Sequence, residues 1–134
     1  MDLLAHAKHA ADRVEAAATR ASVPVTVCVM DPHGNVVLEH RMNGAPGFSM
    51  YLAERKAYTS ALVGMKTADL APLVQPGQPL FALMGQDRFC PMGGGAPLSS
   101  EGKLVAGVGL SGGTVDQDVG ILEAALREIS AAAA

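Results

Sequence analysis

The stretch Leu104-Val105-Ala106-Gly107-Val108-Gly109-Leu110-Ser111-Gly112-Gly113 decides how this chain folds, because an apolar run enters a glycine turn just before a helical pattern begins. Its β-branched and small residues predict a strand. Its glycines at 107, 109 and 112 spell GxGxxG, the pattern that opens a dinucleotide-binding unit. Such a unit also needs a second parallel strand after the helix, with an acidic residue roughly 20 positions downstream to hold the ribose. The helical stretch from Val115 to Ile129 is followed only by Ser130 and four alanines. No βαβ unit is expected here. The reading that remains is a strand-to-helix junction with a backbone bare enough to touch a ligand or another chain.

The rest of the chain is short and mildly acidic. Its 134 residues, about half of them apolar, predict a single domain spanning 1–134. A net charge of −3 provides no basic face, and no Lys/Arg run is interleaved with aromatics, so nucleic acid is not an expected partner. The opening residues Met1 to Lys8 mix charges into their apolar positions, unlike a signal peptide, and no segment has the length of a membrane span. Two cysteines, Cys28 and Cys90, are too few for a disulfide framework, which points to a reducing cytosol.

Local signals place the other elements. Leu3 to Arg20 carries a helical stripe of Leu3, Ala7, Ala10 or Ala11, Val14 and Ala18. His6 and His9, three apart on that helix, share a face, but no third metal ligand stands at a suitable spacing. Val23–Met30 and Val36–Met42 read as strands joined by Asp31-Pro32-His33-Gly34-Asn35, a hairpin loop with Asp, Pro and Gly in turn-forming order. Ser49 is expected to cap a helix from Met50 to about Val63, and Thr67 a shorter one through Leu73. Pro72 to Pro79 reads as loop or broken turns, and Leu80 to Met84 is too short to classify. In the Met50–Val63 helix Lys56 falls on the same stripe as Leu52, Thr59 and Val63, the face expected to be buried. A buried lysine is either an amine nucleophile or a fixed cation for an anionic ligand. Cys90 to Leu98 reads as a loop in which Gly93, Gly94 and Gly95 remove every side chain, so backbone amides can approach an anion.

Taken in order, several segments resemble the GlcG/HbpS family, which also includes the C-terminal domain of PduO-type proteins. They are Pro24-Val25, the Asp31–Gly34 turn, Lys56-Ala57-Tyr58-Thr59, Gly93-Gly94-Gly95-Ala96-Pro97, and Val105 through Ser111-Gly112-Gly113 with Asp116 beyond. The resemblance covers nearly the whole chain. It implies an α+β fold similar to profilin and PAS domains, with a five-stranded, mainly antiparallel sheet flanked by helices. It also implies homo-oligomers, and a setting in which some members bind haem while others sit in catabolic operons. Gln117 stands where similar sequences often have an acid, and Cys90-Pro91-Met92 is not a general feature of the family.

Three functions compete on this reading. In the first, the protein binds haem or a flat, anionic metabolite between the Met50–Val63 helix, the Gly93–Gly95 loop and the Ser111-Gly112-Gly113 junction. Lys56 and the glycine amides would hold carboxylates, with Thr59, Phe81 and Met92 as walls. Cys90, in a Cys-Pro pair like those that place a thiolate on haem iron, is the candidate metal ligand, with Met92 or a histidine as alternatives. In the second, an enzyme acts on a small carbonyl-containing acid, with Lys56 as amine or acid-base group, Asp116 as proton acceptor or orienting carboxylate and the glycine amides as an oxyanion site. In the third, the bare strand ends serve only subunit contacts in an accessory protein.

Overall fold

The computed structural model describes residues 1–133, with side chains through Ser130. A sheet lies between two helices on one face and one long and one short helix on the other. In chain order the elements are α1 (Leu3–Ala21), β1 (Thr26–Met30), β2 (Val36–Arg41), α2 (Phe48–Val63) and α3 (Thr67–Leu70). Two 3-10 turns, Ala71–Val74 and Phe81–Gly85, follow, and then β3 (Gly95–Ser100), β4 (Lys103–Ser111) and α4 (Val115–Ala133). The sheet order is β2-β1-β4-β3, and every neighbouring pair is antiparallel. The α+β class and the antiparallel pairing stand. The described sheet has four strands, which corrects the expected five.

The first hairpin forms for the reason its sequence gives. Asp31 Oδ1 accepts the backbone N–H of His33 at 2.8 Å and of Asn35 at 3.0 Å, and Gly34 takes φ +83° to close the loop. The second hairpin is less visible. β3 occupies Gly95-Ala96-Pro97-Leu98, residues of poor strand propensity that the sequence reads as loop. Backbone pairing to β4 makes it a strand, and its edge position tolerates Pro97. Glu101 and Gly102, at φ 53° and 75°, form the two-residue turn between them.

Alternation along the central strands sorts the two faces. Val25, Val27 and Val29, with Ala106, Val108 and Leu110, pack on α1 and α4. Those helices answer with small or branched residues, Ala7, Ala11, Val14 and Ala18 against Ile121, Leu122 and Ala125. Burying each valine stabilises by about 1.5–3 kcal/mol. The other face presents Thr26, Cys28 and Met30, which pair on β4 with Ser111, Gly109 and Gly107. A Cβ at either glycine would fall under 3.0 Å from the α2 backbone, at Ala57 O for Gly107 and at Ala53 O and Ala57 N for Gly109. These glycines therefore serve to lay α2 directly on the sheet. The sequence offered their bare backbone to a ligand or another chain, and the fold uses it internally.

Two expected helix caps are spent elsewhere. α2 begins at Phe48, and Ser49 is buried with its hydroxyl 2.8 Å from the Thr26 hydroxyl. Thr67 accepts the Gly95 N–H at 2.8 Å, tying α3 to β3, and the α-helix it opens gives way after Leu70 to a 3-10 turn containing Pro72. α4 is capped by a reciprocal pair instead: the Thr114 N–H donates to Gln117 Oε1, and the Gln117 N–H donates to Thr114 Oγ1. The departure from the family pattern at Gln117 thus has a local role. Cys28 and Cys90 are both free thiols. No helix among the described residues is long and apolar enough to cross a membrane.

Candidate functional site

α2 turns Ser49, Ala53, Lys56, Ala57 and Ser60 toward the sheet. Because the positions facing Lys56 are Gly94 and Gly109, its long side chain fits inside: a Cβ at Gly94 would meet its Nζ, and one at Gly109 its Cβ. Lys56 is 1% exposed. Nζ donates to Leu110 O at 3.0 Å and to Asp118 Oδ2 at 3.2 Å. Asp118 is equally enclosed, and its Oδ1 accepts the Gly113 N–H at 3.0 Å. Burial pushes the Asp118 carboxyl above its ordinary range, while Lys56 and the Gly113 and Gly112 amides pull the other way.

Lys56 is thus buried as its helix stripe predicts, and it does bind an anion, but the anion is the chain's own. The Ser111-Gly112-Gly113 junction also presents amides to a carboxylate, again that of Asp118. The acid at this site is not Asp116. That residue is exposed in the first turn of α4, two positions before Lys56's partner. A sequence signal for Asp118 existed: it shares a helical stripe with Ile121, Leu122 and Ala125, all buried, whereas Asp116 falls on the opposite side. The pair clasps α2, β4 and α4 together. With Nζ engaged and enclosed, an amine nucleophile for substrate is not presented at Lys56.

The glycine loop is filled in the same way. A Cβ at Gly93 would collide with Val119, and one at Gly95 with Lys56 O and the Thr67 methyl. The three glycines admit α4, Lys56 and Thr67 rather than an outside anion. Thr59 is buried on α2; its hydroxyl donates to Arg55 O and accepts the Cys90 N–H, both at 2.8 Å. Cys90 is consequently held in the interior, 6% exposed. Ser111 is buried at the end of β4. Met92 is exposed, and Phe81 lies exposed on the second 3-10 turn, which packs against the Ala71–Val74 turn rather than against α2. The structure brings Lys56, Thr59, Cys90, the glycines and Ser111 around one packed junction, and leaves Asp116, Phe81 and Met92 outside it.

Open space lies elsewhere. A cleft of 380 Å³ between the first half of α1, the β3–β4 hairpin and α4 is lined by His6, His9, Ala10, Leu98, Ser99, Ser100, Glu101 and Ile129. The two histidines that the sequence placed on one helix face therefore share a cleft, with Ala10, Leu98 and Ile129 as its apolar part and Ser99, Ser100 and Glu101 as its polar part. Among the described residues no group of three His, Cys, Asp or Glu is arranged to hold a metal ion.

The family model for haem-degrading HbpS-like proteins matches residues 3–127. The chain belongs to the HbpS-like family. This HbpS-like chain is 42% identical over 125 residues to an uncharacterised 15.0 kDa protein from the dhaT-dhaS intergenic region of Citrobacter freundii, covering 92% of this chain and 88% of that one. The crystal structure of Klebsiella pneumoniae protein ORFY is similar with a TM-score of 0.87 at 37% identity, over 96% of this chain and 90% of that one. The crystal structure of a PduOC:heme complex is similar with a TM-score of 0.85 at 34% identity, over 91% and 90%. The HbpS-like chain also spans about a third of the corrinoid adenosyltransferase PduO of Salmonella typhimurium, 34% of its length at 38% identity over 115 residues.

Proposed function

We propose that this protein binds haem, or a flat anionic metabolite of similar shape, in the cleft lined by His6 and His9. The observation that carries the reading is the donor set of that cleft. A bare metal ion in a protein site needs three or four convergent protein ligands. Haem iron brings four nitrogens of its own and takes only one or two axial ligands, for which an imidazole is a common choice. Two histidines beside Ala10, Leu98 and Ile129 fit the second requirement; Glu101, Ser99 and Ser100 also line the cleft, but among the described residues no third ligand is grouped with the histidines to meet the first. Bound there, haem would supply redox-active iron, held by His6 or His9 and by contact with Ala10, Leu98 and Ile129. The similarity to the PduOC:heme complex supports the same reading. Cys90, the thiolate candidate from the sequence, is held inside by Thr59 and lines none of this cleft. The family resemblance supports a cytosolic homo-oligomer with a role in catabolism and a profilin-like fold.

Titration with haemin, followed at the Soret band, tests the reading. A saturable, stoichiometric shift is expected for the unmodified protein and for Cys90→Ala, and its loss is expected in His6→Ala/His9→Ala. A wild-type protein that gives no saturable shift would overturn haem binding. A shift retained in the double histidine variant would move the site away from this cleft.

A further inference from the structure

The chain between Val74 and Cys90 is fastened at its two ends and scarcely in between. Val74 and Cys90 are buried, and the Cys90 N–H donates to Thr59 Oγ1 at 2.8 Å. From Gln75 to Phe89 no residue is buried. The backbone N–H groups of Gln78, Phe81, Leu83 and Gln86 each return to a carbonyl three residues back, and that of Leu80 reaches Leu73. A segment bonded to itself in this way keeps its turns whether or not it rests on the body of the protein. Phe81 and Met84, which could fasten it by burial, are 48% and 49% exposed.

Arg88 makes the connection that the rest of the segment lacks. Its guanidinium lies 4.0 Å over the Tyr58 ring and donates to Gly34 O at 3.3 Å. Among the described residues this is the only hydrogen bond by which residues 75–89 reach beyond 71–90. Tyr58 in turn packs on the interior cluster of Cys28, Met30, Ala53 and Ala57, with its ring against Gly34 of the first hairpin. Interior cluster, ring and guanidinium thus form three layers. Arg88 holds φ +67° in this position, a left-handed conformation that a residue with a side chain keeps only where its surroundings impose it. Asp87 and Arg88 also form one wall of a 270 Å³ cleft whose other wall is Tyr51, Glu54 and Arg55 of α2.

We infer that residues 75–89 are a strap, latched by Arg88 on Tyr58 and Gly34, which lifts as a unit to open this cleft and uncover the Tyr58 ring. Its hinges are Gln75-Pro76-Gly77 and Phe89-Cys90. Gly77, at φ +85° with nothing within 4 Å of the place for a Cβ, leaves the first hinge room to turn. Proteins open locally where a segment has few buried apolar contacts, and a guanidinium stacked on one ring is a contact that such opening can break without disturbing the core.

Trypsin reads the latch directly, because Arg88 is the only lysine or arginine between positions 67 and 102. The protease must take the Arg88 side chain into its own pocket, so the Arg88–Phe89 bond is cut from the lifted strap. Wild type is expected to give one early pair of fragments, split at this bond. Arg88→Lys keeps the charge and the cleavage site but loses the plane that stacks and the fork that reaches Gly34 O. Tyr58→Leu keeps Arg88 and removes the ring. Both variants are expected to be cut at position 88 roughly five to ten times faster than wild type, with an unchanged far-ultraviolet circular dichroism spectrum. A rate in Arg88→Lys no higher than that of wild type would overturn the latch. Digestion of all three proteins with no fragment pair split at position 88 would overturn the strap, since cleavage would then wait on unfolding of the whole domain.

Discussion

Lys56 Nζ lies 3.2 Å from Asp118 Oδ2, with the two side chains 1% and 2% exposed. Two charges are thereby taken out of water in the middle of the molecule. Their mutual attraction offsets that cost only because the Leu110 carbonyl and the Gly113 amide also serve them.

Breaking this pair from one side should therefore be severe. Lys56→Met is expected to cost about 3–5 kcal/mol, since it leaves a buried carboxylate uncompensated. Lys56→Met/Asp118→Asn should recover a large part of that loss. The pH dependence has a definite sign. Without Lys56 the burial that already raises the Asp118 carboxyl is unopposed by the cation, so the variant's folded-state value stands further above its unfolded one. The folded state then favours the protonated form, and stability falls as pH rises through the interval between the two values. Urea denaturation at pH 5 and pH 8 reads both effects. A single variant within about 1 kcal/mol of wild type at both pH values would show that the pair does not hold the junction.

Glycines in this chain should respond to alanine with opposite signs. Gly109→Ala would place a Cβ under 3.0 Å from Ala53 O and Ala57 N, both backbone atoms of α2, so the helix must lift from the sheet. Overpacking of this kind costs about 1–3 kcal/mol, and backbone obstacles put this site at the upper end. Gly120 lies within α4, and its added Cβ would meet nothing within 4 Å. Gly120→Ala is expected to gain about 0.5–1 kcal/mol through helix propensity alone. Urea midpoints at a common slope decide it; equal shifts for the two would contradict the close approach of α2 to β4.

Glu39 should make the fold less stable in mild alkali. It sits opposite Cys28 in the β1–β2 register, its Oε2 is buried without a partner, and burial together with the nearby Glu54 charge raises its carboxyl to about 7. An acid raised in the folded state favours protonation on folding, so stability is lost as pH climbs from the ordinary value of 4.5 toward 7. Glu39→Gln keeps the shape and removes the charge. At pH 8 it should melt on the order of a few °C above wild type. At pH 4 the two should coincide. A melting difference of the same size at both pH values would show that the ionisation is not responsible.

Much of this architecture was legible residue by residue. The α1 stripe, the Asp31–Gly34 turn, β1, β2, β4 and the start of α4 announce themselves through periodicities and turn residues confined to a few neighbouring positions. β3 did not, because Gly95-Ala96-Pro97 lacks the branched residues that mark a strand, and only pairing with β4 makes it one. Residue type alone makes Ser49 and Thr67 helix caps, whereas both hydroxyls serve contacts with distant strands. The candidate site divides in the same way. Burial of Lys56 followed from its place on the helix, and Asp118 could have been found from the apolar stripe it shares with Ile121, Leu122 and Ala125. That His6 and His9 share a cleft with Leu98 and Ile129 could not be found that way, since these residues meet only after α1, the second hairpin and α4 have packed.

The sequence by itself determined which segments are helix or strand, which side of each is apolar, and the family to which the ordered motifs belong. Those properties are set by side-chain chemistry over one or two turns of chain. Tertiary structure alone decided what the bare glycines admit and which charge Lys56 meets. Lys56 finds its partners 54 and 62 residues away in sequence, and the glycines are filled by a helix whose path is fixed by the sheet beneath it. A glycine specifies that something comes close, and only the packed fold specifies what.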